Sequence, residues 1–416
     1  MANSLKYSPL GDLIESHDAR RRPVKSSERN SGPYPYYGAS GIVDYVDAFL
    51  FDGEFLLVAE DGENLRTRQT PIAFMAKGQF WVNNHAHIMR GNERADTRFL
   101  MYALCVADVA AYLSGSTMPK LTKGNLDRIP IPDFPLDEQR RIAHILGALD
   151  DKIELNRQLN ATLEQLARSL YQSWFVDFGP VRAKASGEPE ESICHRLGLT
   201  PELLALFPAT FQSSAMGEIP AGWKITSIGE AVDVVGGGTP STAIDDYWHK
   251  GIYHWATPKD LSGLNSPILL DTDRKITEKG VRNISSGLLP RDTVLLSSRA
   301  PVGYLAISAI PIAINQGFIA LRCNGPVAPY YAYMWCLDNM AAIKSRASGT
   351  TFLEISKKSF RPMPVLIPDK QIMVEFTALV ELLFNQIEEG AKEAVTLASL
   401  RDELLPKLLS GQITIS

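Results

Sequence analysis

One phrase occurs twice in this chain of 416 residues, and it constrains the fold more than any other feature. GSTMPKLTKGNLDRIPIP begins at Gly115 and GTTFLEISKKSFRPMPVLIP begins at Gly349, an offset of 234 positions (349 − 115). Because self-similarity at a fixed offset is typical of repeated architectures, we expect two copies of one structural unit, although two halves of an unrelated duplicated fold would give the same pattern. The matched apolar pairs are Met118 with Phe352, Leu121 with Ile355, Leu126 with Phe360, and Ile129 with Met363.

A long helical pattern follows each phrase, with steps of four and three residues that are typical of a coiled-coil seam. The first seam comprises Ile142, Leu146, Leu149, Ile153, Asn156, Asn160, Leu163, Ala167, Leu170 and Trp174. The same offset gives Phe376, Val380, Leu383, Ile387, Gly390, Ala394, Leu397, Arg401, Leu404 and Leu408. The entry motifs PLDEQ and PDKQ slip by two residues, so the alignment has a gap there.

We expect the apolar seam residues to pair these helices in an antiparallel arrangement, each helix being about 50 Å long. Asn156 and Asn160 lie in the middle of the first seam, where polar residues often set the register, and Gly390 would leave room for them. The simpler alternative is that both are core helices of a larger domain.

The segments before the two phrases contain short β-type runs separated by Gly, Pro and Asn, such as GEFLLVAEDG and QFWVNNHAHIM. FWVNNHAHIM lies opposite PIAINQGFIAL, and each is followed by a short helical stretch. We therefore predict an α+β chain: two mixed α/β domains separated and joined by two long antiparallel coiled-coil helices, with an internal pseudo-twofold repeat.

The expected divisions are a first domain over 1–115, a helical spacer over 116–178, a connector over 179–221, a second domain over 222–349, and a second spacer over 350–416. The connector contains one short helical pattern, PELLALF. It is long for a loop, so we expect it to pack along the helices.

Signatures of catalysis are absent from the sequence. It has no phosphate-binding loop, no Gly-x-Ser-x-Gly elbow and no Asn/Asp-Pro-Pro-Tyr/Phe methyl-transfer motif. VVGGGTPST (Val234–Thr242) lacks the lysine and the following helix of a phosphate loop, so we interpret it as a turn. We expect no catalytic residues in this chain.

Metal-ligand patterns are equally sparse. The four cysteines are scattered without a Cys-x-x-Cys pair, which argues against a zinc site or a disulfide framework. His85 and His87 would share one strand face, but no Cys or carboxylate cluster stands nearby, which favours surface or DNA-facing histidines. No metal site is expected.

Composition limits the remaining classes. No apolar run approaches the length of a membrane span, and MANSLKYSPLGDLIESHDARRRP has no apolar signal core, so we expect a cytoplasmic protein without membrane contact. A net charge of −5 excludes a uniformly basic nucleic-acid binder but leaves local basic faces. The remaining class is a binding protein. A protein with two copies of one binding domain is suited to contact two DNA half-sites.

These segments together resemble the specificity subunit of type I restriction–modification systems, over nearly the whole chain. The stretch from Ser116 to Phe178 resembles the family's central region. GEIPAGWKITSIGE (Gly217–Glu230), GGGTPST and YHWATPKDL (Tyr253–Leu261) resemble the entrance and opening of its second recognition domain, and LRDELLPKLLSGQI (Leu400–Ile413) resembles its C-terminal helix end. Residues 1–30 look short and unlike IPAGWKITSIGE. We call the two mixed α/β domains the first and second modules, and we expect the opening strand of the first module to be altered or arranged differently.

The resemblance implies that both domains are target-recognition domains, each reading one half of an asymmetric, interrupted double-stranded DNA site. The helices would set the spacing and dock two methyltransferase subunits, and restriction/translocase subunits would join. S-adenosylmethionine, ATP and Mg are then expected in the partner subunits, with no cofactor in this chain. The alternatives are a stand-alone DNA-binding or coiled-coil adaptor protein without methyltransferase partners, and an enzyme with degenerate motifs.

Candidate DNA contacts follow from side-chain chemistry, because phosphates favour Lys and Arg whereas base edges favour forked or amide groups. The lysines beside the two phrases suit phosphate contacts or are plain solvated charges. The amide pairs suit adenine or cap turns within a sheet. The candidates are Tyr36, Tyr37, Arg66, Arg68, Asn83, Asn84, Lys120, Lys123, Lys259, Arg299, Asn315, Gln316, Lys357 and Lys358.

Overall fold

The computed structural model describes residues 5–349 and 353–415. Phe352, the predicted match of Met118, lies outside these residues. The strands of the first half are β1 (Tyr7–Pro9), β2 (Ile14–Ser16), β3 (Ser31–Gly38), β4 (Gly41–Val46), β5 (Phe51–Asp52), β6 (Phe55–Ala59), β7 (Ala73–Ala76), β8 (Gln79–Val82), β9 (Ala86–Gly91) and β10 (Pro130–Pro132). The helices are α1 (Asn64–Thr67), α2 (Thr97–Val106), α3 (Lys123–Leu126) and α4 (Leu136–Tyr171).

The second half repeats this alternation after a helical connector. Its strands are β11 (Phe211–Ser214), β12 (Gly217–Pro220), β13 (Lys224–Ser227), β14 (Asp233–Gly236), β15 (Tyr253–Ala256), β16 (Ile268–Leu269), β17 (Arg274–Ile276), β18 (Val294–Ser297), β19 (Leu305–Ser308), β20 (Ile312–Ile314), β21 (Phe318–Arg322) and β22 (Pro364–Ile367). Its helices are α5 (Gly179–Ala185), α6 (Glu190–Leu197), α7 (Pro201–Leu206), α8 (Ile228–Ala231), α9 (Pro258–Ser262), α10 (Glu278–Arg282), α11 (Pro329–Asp338), α12 (Met340–Ser345), α13 (Lys357–Phe360) and α14 (Lys370–Leu409).

The chain forms two compact units. The first comprises the residues up to Ile153 and those from Thr396 onward, and the second comprises Glu154–Val395. Helices α4 and α14 contribute residues to both units. The five predicted segments have other boundaries, none of which falls within α4 or α14, and they stay a prediction.

Two sheets build the globular part of the first unit, in the orders β2-β9-β6-β7 and β4-β3-β8-β5. Every residue of β6, the apolar run FLLVA, is buried, as expected for a strand covered on both faces. Helix α2 packs against the first sheet, and its Phe99 and Leu100 share one core with Leu56 and Met89.

The second unit repeats this topology. Its larger sheet has the order β14-β21-β18-β19-β16, and its smaller sheet has the order β17-β15-β20. The first four strands of the larger sheet match β2-β9-β6-β7 in order. The smaller sheet matches β4-β3-β8, including a parallel pair: β3 with β8, and β15 with β20. The α+β fold with an internal repeat is therefore confirmed.

The first module has the opening strand that the sequence left in doubt. β1 pairs antiparallel with β10, as β13 pairs with β22. The amide of Leu10 donates to Ile129 O at 2.9 Å, and the amide of Ile228 donates to Met363 O at 2.8 Å. A Cβ on Gly11 would lie 2.9 Å from Asp127 Cβ, and one on Gly229 would lie 2.7 Å from Arg361 Cβ. The expectation of an altered strand was wrong, because the shared feature is a backbone contact.

Helices α4 and α14 form the predicted antiparallel pair. They start at Leu136 and Lys370, again 234 positions apart, so the slip between the entry motifs does not shift the helices. Within the second unit Asn156 Nδ2 donates to Glu393 Oε2 at 2.7 Å, whereas Trp174, in the π-helical turn that follows α4, packs on Phe376, nearer the start of α14. A Cβ on Gly390 would come 2.7 Å from Asn160 Oδ1, so the glycine does leave room for this asparagine.

The residues predicted to pair the helices are turned away from solvent. Those that are buried are Ile142, Leu146, Leu163, Phe376, Val380 and Ile387. Those that are half-buried are Leu149, Ile153, Leu170, Leu383, Leu397 and Leu404. Within the first unit, Arg401 Nη1 also donates to Asp150 Oδ1 at 2.7 Å.

The connector carries more structure than its sequence indicated. Besides α7 at PELLALF it contains α5, α6 and the β11–β12 hairpin. Phe207 at the end of α7 packs edge-on against Trp174, with ring centres 5.1 Å apart, so the connector packs on the end of the helix pair. Among the described residues, no helix combines the length and the apolar character that crossing a membrane would need.

Candidate nucleic-acid interface

The repeated phrase closes a small loop against each module. Ser114 and Lys120 exchange two backbone hydrogen bonds of 2.8 and 2.7 Å, and Ser348 and Glu354, 234 positions later, exchange two of 3.0 Å. The next residue then pairs with the module itself: the amide of Leu121 donates to Glu60 O, and that of Ile355 donates to Ser298 O. We call these two contact regions the junctions.

The lysines of the two junctions differ in their partners. Lys120 Nζ lies 3.2 Å from Glu60 Oε1, and Lys123 pairs with Asp127. Lys357 and Lys358 are exposed and form no ion pair with any described residue. A Cβ on Gly236 would lie 2.7 Å from Lys357 Nζ, so this lysine extends over the end of β14, where the glycine-rich turn begins. The lysine charges of the second junction are therefore less neutralised than those of the first, and they are more available to a polyanion.

Matched positions in the two junctions carry opposite charges. Asp61 bridges to Lys120 through the main chain in the first junction, and Arg299 bridges to Glu354 in the second. Arg299 Nη1 lies 3.6 Å from Glu354 Oε2, so the candidate DNA contact Arg299 has an acidic neighbour. Each module is thus complementary in charge to its own copy of the phrase.

The two amide pairs occupy the same structural position, which we call the amide corner of each module. Asn83 follows β8 and Asn315 follows β20, the second strand of the parallel pair in each case. The Asn83 amide donates to Tyr37 O and the Asn315 amide donates to Ala256 O, both at 3.0 Å. Each Oδ1 then accepts the amide two residues on, at 2.8 Å. These two asparagines cap turns, which was the alternative to base contacts.

The second residue of each corner is the one presented to solvent. Asn84 and Gln316 are both exposed. Thr239 Oγ1 donates to Gln316 Oε1 at 2.6 Å, so the glycine-rich turn holds this side chain. Gly237 in that turn has no room for a side chain, because a Cβ would lie 1.9 Å from Ile314 O. A carbonyl oxygen carries two lone pairs, so Gln316 retains one acceptor site, and no described residue accepts a hydrogen bond from its two N–H donors.

Four other candidates have structural contacts. Tyr36 is buried, and its hydroxyl accepts the Val24 amide at 2.9 Å, which leaves no surface for DNA. Tyr37 is half-buried and packs edge-on against Phe80. Arg68 Nη2 donates to Cys105 O at 2.8 Å and so caps the C-terminus of α2, a favourable place for a cation. Arg66 lies 3.3 Å from Glu63 and remains nearly half exposed.

Lys259 remains accessible. It lies on α9, directly after β15, and its side chain is 84% exposed with Asp273 at 3.7 Å. Because β15 ends at the second amide corner, Lys259 and Gln316 belong to one exposed region.

The two histidines do not share a strand face, contrary to our expectation. His85 lies in the turn before β9, and its Nδ1 is 2.8 Å from Asp61 Oδ2. His87 is 1% exposed, with Nδ1 2.6 Å from Asp18 Oδ2 and Nε2 2.8 Å from Leu121 O. The prediction of a surface histidine is wrong for His87, which joins β9 to the first junction instead.

Two carboxylates with lowered pKa values, those of Asp18 and Glu60, lie around His87. Burial would raise the pKa of Asp18, but the hydrogen bond with His87 and the charges of His87 and Arg21 outweigh it, so this pKa lies below its usual value. Burial is likewise outweighed at Glu60, whose pKa is lowered by Arg21, His87 and Lys120. Groups with lowered folded-state pKa values stabilise the fold above their unfolded pKa, near 4, and that stability is lost as the pH falls through the folded pKa.

We therefore expect the urea midpoint of the first unit to drop as the pH is lowered from about 6 to about 3. Asp18→Asn should lower the midpoint at neutral pH and flatten this dependence. Glu403→Gln is the control, because Glu403 is exposed and, among the described residues, forms an ion pair only with Lys407, one turn along its helix. An unchanged slope for Asp18→Asn would contradict the assignment.

The sequence interpretation missed a basic segment of the first module. The segment Arg20–Arg29, which includes a 3-10 turn at Ser26–Glu28, carries Arg20, Arg21, Arg22, Lys25 and Arg29 against the single acid Glu28. It covers one face of the β4-β3-β8-β5 sheet, because Val24 bonds the Tyr36 hydroxyl and Arg22 O accepts from Trp81 Nε1 at 2.6 Å. We call it the basic strap. ARRRPVK was a visible charge run, but only the fold reveals that its outer side faces solvent.

The family model described as "Type I restriction modification DNA specificity domain" matches residues 4–165 and 220–397. The chain belongs to this family. The two matched regions correspond to the two repeats described above. Membership confirms the resemblance seen in the sequence, and it places the chain with the specificity components of type I systems, which are non-catalytic.

Relatives in the type I specificity family align over different shares of the chain. The HindI specificity subunit of Haemophilus influenzae is 27% identical over 333 residues, 71% of this chain and 72% of that protein. The MjaIX specificity subunit of Methanocaldococcus jannaschii is 33% identical over 196 residues, so this alignment spans only 45% of its length. The crystal structure of the type I S subunit from M. genitalium covers 98% of this chain with a TM-score of 0.57 at 18% identity, which supports the fold.

Proposed function

We propose that this chain selects the DNA site of a type I restriction–modification complex, with each module reading one half of an interrupted sequence. The observation that carries this proposal is the amide corner, which recurs at one topological position and presents an exposed amide, Asn84 or Gln316, each time. Side-chain amides can pair bidentately with adenine in the major groove.

The two modules differ around this shared corner, which supports different half-sites. The junction charges are reversed, Asp61 with Lys120 against Arg299 with Glu354. The turn that holds Gln316 through Thr239 belongs to the second module. The two halves of the DNA site should therefore differ in sequence, because different side chains surround the same backbone structure in the two modules.

The paired helices suit the docking of methyltransferase subunits. Leu155, Leu159 and Leu166 on α4 are 57, 49 and 50% exposed, and their spacing of four and seven residues aligns them along one side of the helix. Rows of exposed leucine are uncommon on isolated soluble proteins and typical of interaction sites. The methyltransferases would supply S-adenosylmethionine chemistry, and restriction/translocase subunits would supply ATP- and Mg-dependent steps.

Leu159→Glu should reduce co-purification with the methyltransferase roughly tenfold or more, because a leucine buried in an interface contributes about 1.5–3 kcal/mol. Gln165→Glu is the matched control: it adds the same charge to an exposed residue of α4 away from the leucine row. Equal binding by both variants would argue against this docking face.

Single-molecule methylation mapping tests the function directly. A host lacking this modification would express the cognate methyltransferase with or without this chain. A bipartite methylated-adenine motif that appears only with the chain is the expected result. Methylation without the chain, or none with it, would favour the alternative of a stand-alone DNA-binding or adaptor protein.

A further inference from the structure

An apolar edge strand stands out on the first module. Strand β4 ends the sheet order β4-β3-β8-β5, so its outer edge is unpaired in that sheet. Its Ile42, Val43 and Tyr45 are 46, 53 and 51% exposed. Natural proteins usually protect such edges with charge or cover, so an exposed apolar one indicates a binding surface. We call β3 and β4 with their turn the ribbon.

A bulge turns two neighbouring apolar side chains outward. Tyr36 pairs with Asp44 and Tyr37 pairs with Ile42, so Val43 is an extra residue on β4. Bulges of this kind redirect side chains and are frequent beside functional sites. A Cβ on Gly38 would lie 3.0 Å from Val43 Cγ1 and 3.2 Å from Asn83 Nδ2. The bulge therefore adjoins the amide corner.

The charges around the ribbon favour a polyanion. Arg29 Nη1 lies 3.0 Å from Asp44 Oδ2, and the Arg29 guanidinium is 4.3 Å above the Tyr36 ring, which ties the basic strap to both strands. The strap thereby neutralises an acidic group of β4. Its Arg22 and Lys25 remain exposed. A protein partner would need no such flanking cations, whereas phosphates on either side of a groove do.

We propose that the first module inserts this ribbon into the DNA major groove, with Ile42 and Val43 against thymine methyl groups and the basic strap against the phosphates. The inference rests on the proposed function and specifies how one half-site is read. The major groove is wide enough for a two-stranded β-ribbon, and apolar side chains there distinguish thymine by its methyl group.

The second module lacks this apolar edge. The strand in the place of β4 is β17, and its exposed residues are Arg274 and Lys275. Arg274 stacks on the Trp248 ring at 3.7 Å. Thymine-methyl readout is therefore expected in one half-site only.

The test removes the methyl group from the DNA and the apolar group from the protein. The complex of this chain with its methyltransferase is bound to duplexes in which each thymine of the mapped site is replaced in turn by uracil. For the wild-type complex, at least one replacement in one half-site should weaken binding roughly fourfold, as for burial of one methyl group. The Val43→Ala or Ile42→Ala complex should bind thymine and uracil duplexes equally there.

Ile252→Ala is the matched control, since Ile252 is an exposed apolar residue of the second module, and it should keep the wild-type preference. In addition, Arg22→Ala and Lys25→Ala should each reduce the slope of log affinity against log salt by about one, with sequence preference unchanged.

Two results would overturn the ribbon assignment while leaving the proposed function intact. These are uracil replacements in either half without effect on the wild type, and a thymine preference that survives in both ribbon variants. Loss of methyltransferase binding by the variants, with the preference intact in the remaining complex, would make the ribbon a protein-docking edge. A wild-type complex that recognises no bipartite site would instead refute the proposed function, and the inference with it.

Discussion

Trp174→Ala is expected to lower the free energy of unfolding of the second unit by about 3–5 kcal/mol, because removing a buried indole leaves a cavity. Trp174 is 1% exposed and is surrounded by rings: Phe207 of the connector lies at 5.1 Å and Phe376 of α14 at 5.8 Å. The residue thus joins the end of α4, the start of α14 and the connector. Its loss removes contacts from all three.

Urea unfolding of the intact chain measures this effect, with Leu382→Ala as the control. Leu382 is 65% exposed on α14, and surface truncations usually change stability by less than about 0.5 kcal/mol. If Trp174→Ala changed stability by no more than this control, the aromatic contacts would not hold the connector to the helix pair.

The helix pair could be predicted from sequence because its information is local. Steps of four and three residues specify which side of a helix is buried, and the offset of 234 gave the second helix its register. Asn156, Asn160 and Gly390 follow the same logic, since an amide in a seam requires space on the facing helix.

The opening strand of the first module could not be predicted, because its two copies share little sequence. YSPLGD and ITSIGE are held by matching backbone hydrogen bonds to the segments that directly precede β10 and β22, and these bonds place no demand on side chains. Only the glycine is required, since Gly11 and Gly229 both lie against the repeated phrase. This one matched residue was the available signal.

The polar residues of the candidate site were the hardest to assign. Arg68 and His87 were flagged for their chemistry, yet the fold uses Arg68 to cap α2 and His87 to hold Asp18 and Leu121 O. Their partners are 34 to 69 residues distant in the chain, and no local pattern encodes such contacts. For the amide pairs, the sequence alone indicated which positions match in the two modules. Only the structure shows which residue of each pair caps a turn and which one is exposed.

Because Gln316 is the exposed residue of its pair, Gln316→Ala should abolish the preference for one base over the others at one position of one half-site. A bidentate side-chain contact contributes about 1–3 kcal/mol of discrimination against the wrong base. Asn84→Ala should do the same in the other half-site, because Asn84 occupies the matching place in the first module. Each variant is the control for the other, since both lose an exposed amide and keep the turn-capping asparagine.

Competition binding of the methyltransferase complex to duplexes substituted at every position of the mapped site would measure both effects. We expect each variant to lose preference in its own half and to keep it in the other. Should both variants weaken binding to all sequences equally, the amides would contact the backbone, because phosphate contacts carry no sequence information. Should neither change anything, the reading groups would lie outside the amide corners, in the second module nearer to Lys259 and Lys357.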